Sequence, residues 1–206
     1  MANKEELEKQ MEEQWESDYS KADIPNLPWE AFKPPSKLIK LIDSGKIKIG
    51  KAIDLGCGLG TNAVYLAKTG FEVTALDVSK TALKYASGQA EKAGVKINFI
   101  QGFAHKLDFP EKAFTLVFDR GCFHHIPPEL RQDYLNGICR ILADNGSYYL
   151  ECFSSNCQFD YGYKFSKSDI KNIFGEKFEI IEIDEISNKG PENGEVLLNS
   201  IFMSKK

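Results

Sequence analysis

The sequence predicts a doubly wound α/β fold, a parallel sheet with helices on both faces. Three observations carry that prediction. From Lys51 onward, short apolar runs alternate with segments of helical period, which is the pattern of successive βαβ units with right-handed crossovers. The first run, Ala52 to Leu55, opens into Gly56-Cys57-Gly58-Leu59-Gly60 and then a helical pattern, so a strand turns tightly into a helix start. The second run, Phe71 to Asp77, ends in an acid at the sheet edge where folds of this kind bind ligands.

Ahead of this core, Leu7, Met11, Trp15 and Tyr19 recur every fourth residue and predict an amphipathic helix over about residues 4–20. Pro25, Pro28, Pro34 and Pro35 predict an extended connector carrying Trp29 and Phe32, and Leu38, Ile39, Leu41 and Ile42 a short helix before Gly45. Aromatic residues placed before a glycine loop suit either a lid or plain core packing. Within the core, a helix over residues 61–68 stops at Gly70, and Ser79 caps a helix that Gly94 closes. Strands are predicted at Lys96 to Gln101 and Phe114 to Asp119. Pro127 and Pro128 open a helix with Leu130, Tyr134, Leu135, Ile138, Ile141 and Leu142 inward, and Asp144-Asn145-Gly146 turns it into a fifth strand, Ser147 to Phe153. After a helix near residues 167–174, strands at Phe178 to Ile186 and Glu195 to Met203 join without a helix. They must pair antiparallel, directly or with one slipped in beside its neighbour.

The 206 residues, 42% of them hydrophobic, suit one domain, with residues 1–45 as a helical lid and 48–206 as the α/β core. Twenty-six basic against thirty acidic residues leave a net charge of −4, without long like-charge runs. That balance argues against a nucleic-acid or membrane surface. The polar, acidic start has no apolar leader and no stretch reaches membrane-spanning length, so a soluble, cytoplasmic protein is expected. Five cysteines with no CxxC pair point away from disulfides and structural zinc, and no metal site is expected.

The chemistry lies in the glycine loop and the strand-ending acids. Asp77 stands 19 residues after Gly58, the place from which a carboxylate accepts both hydroxyls of a ribose. The glycines alternate as GxGxG rather than GxGxxG, and Asp54 precedes them by two residues. A carboxylate there would repel a diphosphate and suit a cationic ligand end. A nucleoside at one end and an ammonium group at the other describe S-adenosylmethionine.

Ile53-Asp54-Leu55-Gly56-Cys57-Gly58-Leu59-Gly60 resembles motif I of the class I S-adenosylmethionine-dependent methyltransferases, and Leu76-Asp77-Val78-Ser79 their second motif. The stretches Ile100 to Ala104 and Thr115 to Ile126 resemble the third and fourth. Trp15, Tyr19, Pro28 and Trp29 resemble the N-terminal lid of the small-molecule branch, which includes thiopurine, tellurite-resistance and thiol methyltransferases. The resemblance implies a Rossmann-like, seven-stranded sheet with its last strand antiparallel. It also implies that Gly56, Cys57 and Gly58 pass under the cofactor, with Asp54 at its ammonium end and Asn62 adding a polar contact. Asp77 would take the ribose hydroxyls and Val78 flank the adenine. The acid that commonly binds the adenine amine is replaced by Phe103, which leaves that role to the Phe103 and Ala104 backbone or to a neighbour. Asp119 and Arg120 would lie by the methionine portion, with Asp119 a candidate for the ammonium group, and Trp15, Tyr19 and Trp29 would close over the site.

His124 and His125 fall at the mouth of such a site, where a histidine orients or deprotonates a substrate or else serves as scaffold. His105, in the loop after the third strand, reads as surface. Trp29, Phe123, His124 and the aromatic stretch Phe153 to Phe165, with Cys157, Phe159, Tyr161 and Tyr163, are the candidate lining for an acceptor. That stretch is too short to hold a protein or RNA, so the expected partner is a small-molecule methyl acceptor. The rival readings are a noncatalytic S-adenosylmethionine-binding protein and a nicotinamide oxidoreductase. The second is opposed by GxGxG with Asp54 and by the lack of a YxxxK pair.

Overall fold

In the computed structural model the first strand, β1 (Lys51–Leu55), is buried from its second residue on, as a central strand covered on both faces must be. It pairs in parallel with β2 (Glu72–Asp77) on one side and β4 (Phe114–Arg120) on the other, so Leu55 lies level with both Leu76 and Asp119. This register brings Asp54, Asp77 and Asp119 to one edge of the sheet. β3 (Ile97–Gln101) extends the sheet beyond β2, and β5 (Leu142–Phe153) lies beside β4. β7 (Glu195–Lys205) runs antiparallel between β5 and β6 (Phe178–Lys189), giving seven strands in the order β3-β2-β1-β4-β5-β7-β6. The described residues are 3–24, 27, 29–159, 161–189 and 194–206; Pro25, Pro28 and residues 190–193 lie outside them.

Successive residues of β1 serve opposite faces, as the strand period requires. Ala52 packs with Leu38 and Leu41 of α2 (Ser36–Asp43) and Leu66 of α3 (Thr61–Lys68). Ile53 packs with Leu130 and Ile138 of α5 (Pro128–Ile141) and Phe174 of α6 (Lys167–Phe174). Five of the six inward residues expected in α5 are buried in it, and the sixth, Leu142, opens β5. β5 therefore starts earlier than the sequence suggests. Asp144-Asn145-Gly146 forms a bulge inside the strand instead of a turn before it, with Asn145 at a φ of 57° and the register shifting between Phe114 and Leu116.

The N-terminal helix α1 (Lys4–Lys21) packs against α4 (Lys80–Ala93), whose start is capped by the Ser79 side chain and whose end is closed by Gly94. Its apolar stripe divides between two tasks. Leu7 and Met11 rest on the main core, whereas Trp15 and Tyr19 pack with Leu27, Leu59 and Ala82 above the glycine loop.

Candidate active site

The strand-to-helix turn after β1 is held by backbone bonds: Cys57 N–H donates to Leu76 O at 3.0 Å and Gly60 N–H to Cys57 O at 2.9 Å. Gly60 has a φ of 80°, and a Cβ there would stand 2.8 Å from Ala86 Cβ, so only glycine lets α3 start against α4. At Gly58, with φ 52°, a Cβ would meet the Tyr19 hydroxyl at 2.7 Å, so the lid tyrosine sits directly on the loop. Asp77 joins this loop to the next one. Its Oδ2 accepts from Gly58 N at 2.9 Å and its Oδ1 from Ser79 N at 2.9 Å, while burial raises its pKa to about 6.

Asp54 is buried beside it, with Oδ2 lacking any partner among the described residues, as does Asn62 Oδ1. Burial, reinforced by Asp119 and Asp77, pushes the Asp54 carboxyl well above the usual range. Asp119 completes the acidic group but faces inward. Its Oδ1 accepts from Cys122 N at 2.9 Å and Phe123 N at 3.3 Å, its Oδ2 accepts from the Tyr134 hydroxyl at 2.5 Å, and burial raises its pKa to about 7. The Asp119 carboxyl is enclosed and holds the turn carrying the two histidines. Among the described residues no lysine or arginine bonds to these three acids, so the site favours a cation over a diphosphate.

A cavity of about 550 Å³ runs between this acidic end and the lid. Trp15, Tyr19, Trp29, Gly56, Asp77, Val78, Phe103, Ala104, Arg120, His124 and His125 line it, while Asp54, Cys57, Gly58, Asn62 and Asp119 lie behind its wall. One end is formed by Leu76, Asp77, Val78, Phe103 and Ala104 with Met11 of α1, an apolar slot above a carboxylate. Arg120 is held by Glu151 at 2.9 Å and donates to Lys33 O at 3.1 Å, which ties the connector to the sheet.

The other end is aromatic. Trp15 meets His125 edge-on at 4.9 Å and Trp29 at 5.9 Å, and Tyr161 lies 5.1 Å from His125. The His124 ring stacks on Phe153 at 3.8 Å, and its Nδ1 accepts from Phe153 N at 3.1 Å. Burial lowers the pKa of both histidines, that of His125 to about 4, so both are neutral at pH 7. Phe159 and Tyr161 line the cavity as the sequence suggests. Phe123 does not, since it is buried against Phe165 and Phe174, and Tyr163 lies under the Arg131 guanidinium. Cys57 and Cys122 are held as neutral thiols by burial.

Sequence reasoning missed how the lid is fastened. Glu8, Glu12 and Glu16 form a second stripe on α1, one residue on from Leu7, Met11 and Trp15. Glu16 accepts from Ser79 Oγ at 2.8 Å and Thr81 N at 3.1 Å, and Glu12 from Gln101 at 3.0 Å. His105, expected at the surface, is instead buried, with Nε2 at 2.8 Å from Glu8, because α1 covers the loop after β3. The acid spacing of four was the available signal.

A parallel sheet continued by an inserted antiparallel strand, with a GxGxG turn and an acid ending the second strand, defines the class I methyltransferase type. A methyltransferase-domain family model matches residues 52–146. An uncharacterized methyltransferase of Schizosaccharomyces pombe is 30% identical over 116 residues, covering 56% of this chain and 79% of that protein. The chain belongs to this methyltransferase family. The 2-heptyl-1-hydroxyquinolin-4(1H)-one methyltransferase of Mycobacteroides abscessus is 32% identical over 127 residues, 61% of this chain, which spans about half (56%) of that relative's length. In fold, the chain is similar to the Burkholderia thailandensis 1,6-didemethyltoxoflavin-N1-methyltransferase, with a TM-score of 0.81 and 21% identity over 100% of this chain and 92% of that one. Among the described residues, no helix is long and apolar enough to cross a membrane.

Proposed function

We propose that the chain uses S-adenosylmethionine to methylate a small, flat heteroaromatic acceptor. The observation that carries this reading is one continuous cavity, slot-shaped above a carboxylate at one end and aromatic at the other. The orphaned Asp54 and Asn62 oxygens support a cationic, polar ligand end, and Asp77 keeps lone pairs for ribose hydroxyls beside its two backbone bonds. Val78, Phe103 and Ala104 would flank the adenine, with Met11 closing the slot from above. S-adenosylmethionine supplies an electrophilic methyl group on its sulfonium.

The chain's own contribution is binding, orientation and exclusion of water. Trp15, Tyr19 and Trp29 cover the cavity, and the aromatic walls align an acceptor ring. Positioning of this kind accounts for roughly 7 to 11 kcal/mol of barrier lowering in favourable cases. The names of the quinolone and toxoflavin-precursor methyltransferases support a heteroaromatic acceptor. The absence of long like-charge runs supports a small molecule rather than a nucleic acid, and five free cysteines support a cytoplasmic setting. Within a single domain, α1 and the connector carrying Trp29 would act as the lid, while α2 packs in the core. Isothermal calorimetry tests the cofactor: one-site binding of S-adenosylmethionine is expected, with no heat from NADH. Silence at millimolar S-adenosylmethionine would end the reading.

A further inference from the structure

We infer that His124 is a fixed hydrogen-bond donor to the methyl acceptor, and that the acceptor therefore presents a lone pair to it rather than a proton. The inference rests on the function proposed above and goes further by giving His124 one direction of hydrogen bonding. Its Nδ1 accepts the Phe153 backbone N–H at 3.1 Å. An amide proton is never given up, so the Nδ1 lone pair is permanently used, and a neutral ring must carry its one proton on Nε2. The ring cannot turn over to reverse this. It stacks on Phe153 with planes 13° apart, and a flip would set a C–H against the Phe153 N–H. The main chain is fastened too, since Tyr163 N–H donates to His124 O at 2.7 Å.

The Nε2 edge lies next to Gly121, which lines the same cavity; even a Cβ at Gly121 would stand 4.0 Å from Nε2. Among the described residues Nε2 has no hydrogen-bond partner. The His125 ring meets the His124 ring at 4.4 Å, and Tyr161, 5.1 Å from His125, donates to Asp18 at 3.2 Å; neither side chain bonds to His124. A general base needs an open lone pair aimed at the substrate, and His124 has none. An acceptor arriving as its anion takes the methyl group on its own lone pair and leaves neutral, the C–S pair staying on sulfur. No proton has to change hands.

Long-range ¹H–¹⁵N spectra of the labelled full-length chain, with the His124 signal assigned by its loss in His124→Asn, test the tautomer without any substrate. A neutral Nε2–H ring from pH 8 to pH 5 is expected. An Nδ1–H ring, or a titration near 6.5, would overturn the inference. Kinetics with thiophenol and 4-hydroxyquinoline test the consequence. His124→Asn keeps an acceptor for Phe153 N but is too short to place a donor at the Nε2 position, and should raise the acceptor KM about 10- to 100-fold, the worth of a hydrogen bond to a charged group. His124→Gln, which can place an N–H near the Nε2 position, should recover most of that loss. The pH profile with thiophenol should follow its own ionisation in all three proteins. An acidic limb that vanishes in His124→Asn would make His124 a base and refute the proposal. Cofactor affinity is unchanged in both variants; if the wild type does not bind S-adenosylmethionine, the functional reading fails while the spectra still decide the tautomer.

Discussion

The two ends of the cavity are built in opposite ways. The cofactor end is made by loops at the carboxyl ends of adjacent strands β1 and β2, where Asp77 ties Gly58 to Ser79 and buried acids stand without a lysine or arginine among the described residues. At the acceptor end backbone bonds fix only the His124 turn, through Phe153 N and Tyr163 N. This end is assembled from Trp15, Trp29, His124, His125, Phe153 and Tyr161, which come from distant parts of the chain and meet ring against ring. Polar backbone geometry fixes what is donated. Apolar packing under a helical lid decides what receives it, and packing of that kind changes with few substitutions while the cradle stays constant.

If the two ends are separable, substitutions should divide their effects accordingly. The largest loss is expected from Asp77→Ala, which removes the ribose acceptor and both loop bonds. It should weaken S-adenosylmethionine binding by about 100-fold or more, roughly 3 kcal/mol, in calorimetry, with far-ultraviolet circular dichroism unchanged. Unaltered affinity would break the assignment of this end. Trp15→Ala should do the reverse, raising the acceptor KM about tenfold while shifting cofactor affinity less than about threefold. Equal loss of both would show that the lid serves the cavity as one unit.

A smaller effect concerns the acid between the two ends. Asp119 has its folded pKa raised to about 7 by burial, above the ordinary 3.8. A raised carboxyl favours folding fully at low pH, and that contribution fades as pH rises through 7. Asp77, raised to about 6, acts in the same direction, whereas His125, lowered to about 4, loses its contribution as pH falls. Urea midpoints of wild type and Asp119→Asn should therefore diverge in slope. The decline of the midpoint between pH 5 and pH 8 should be shallower in the variant, and parallel curves would show that Asp119 does not titrate there.

The cofactor end was legible in the sequence because its signals are local. A strand, alternate glycines and an acid 19 residues on fix a turn and its neighbour through backbone geometry alone. The acceptor end was legible only as a list of aromatics, since nothing in their spacing brings residue 15 to residue 161. Asp119 illustrates the limit. Its place at a strand end suggested a ligand, and only Tyr134, arriving from α5, turns it into a buried support. His105 has the same cause, its partner Glu8 standing 97 residues away. Asn145-Gly146 misled in another way, because residues that favour a turn also favour a bulge, and strand pairing decides between them.

The central claim is that cofactor and acceptor share one enclosure. Its most direct test is transfer of the labelled methyl group from S-adenosylmethionine to a panel of thiophenol, 4-hydroxyquinoline and 2-heptyl-1-hydroxyquinolin-4(1H)-one, with product identified by mass spectrometry. Label is expected in at least one planar acceptor, lost in Asp77→Ala and reduced in Trp15→Ala. Tight cofactor binding with no label reaching any of the three would contradict that claim.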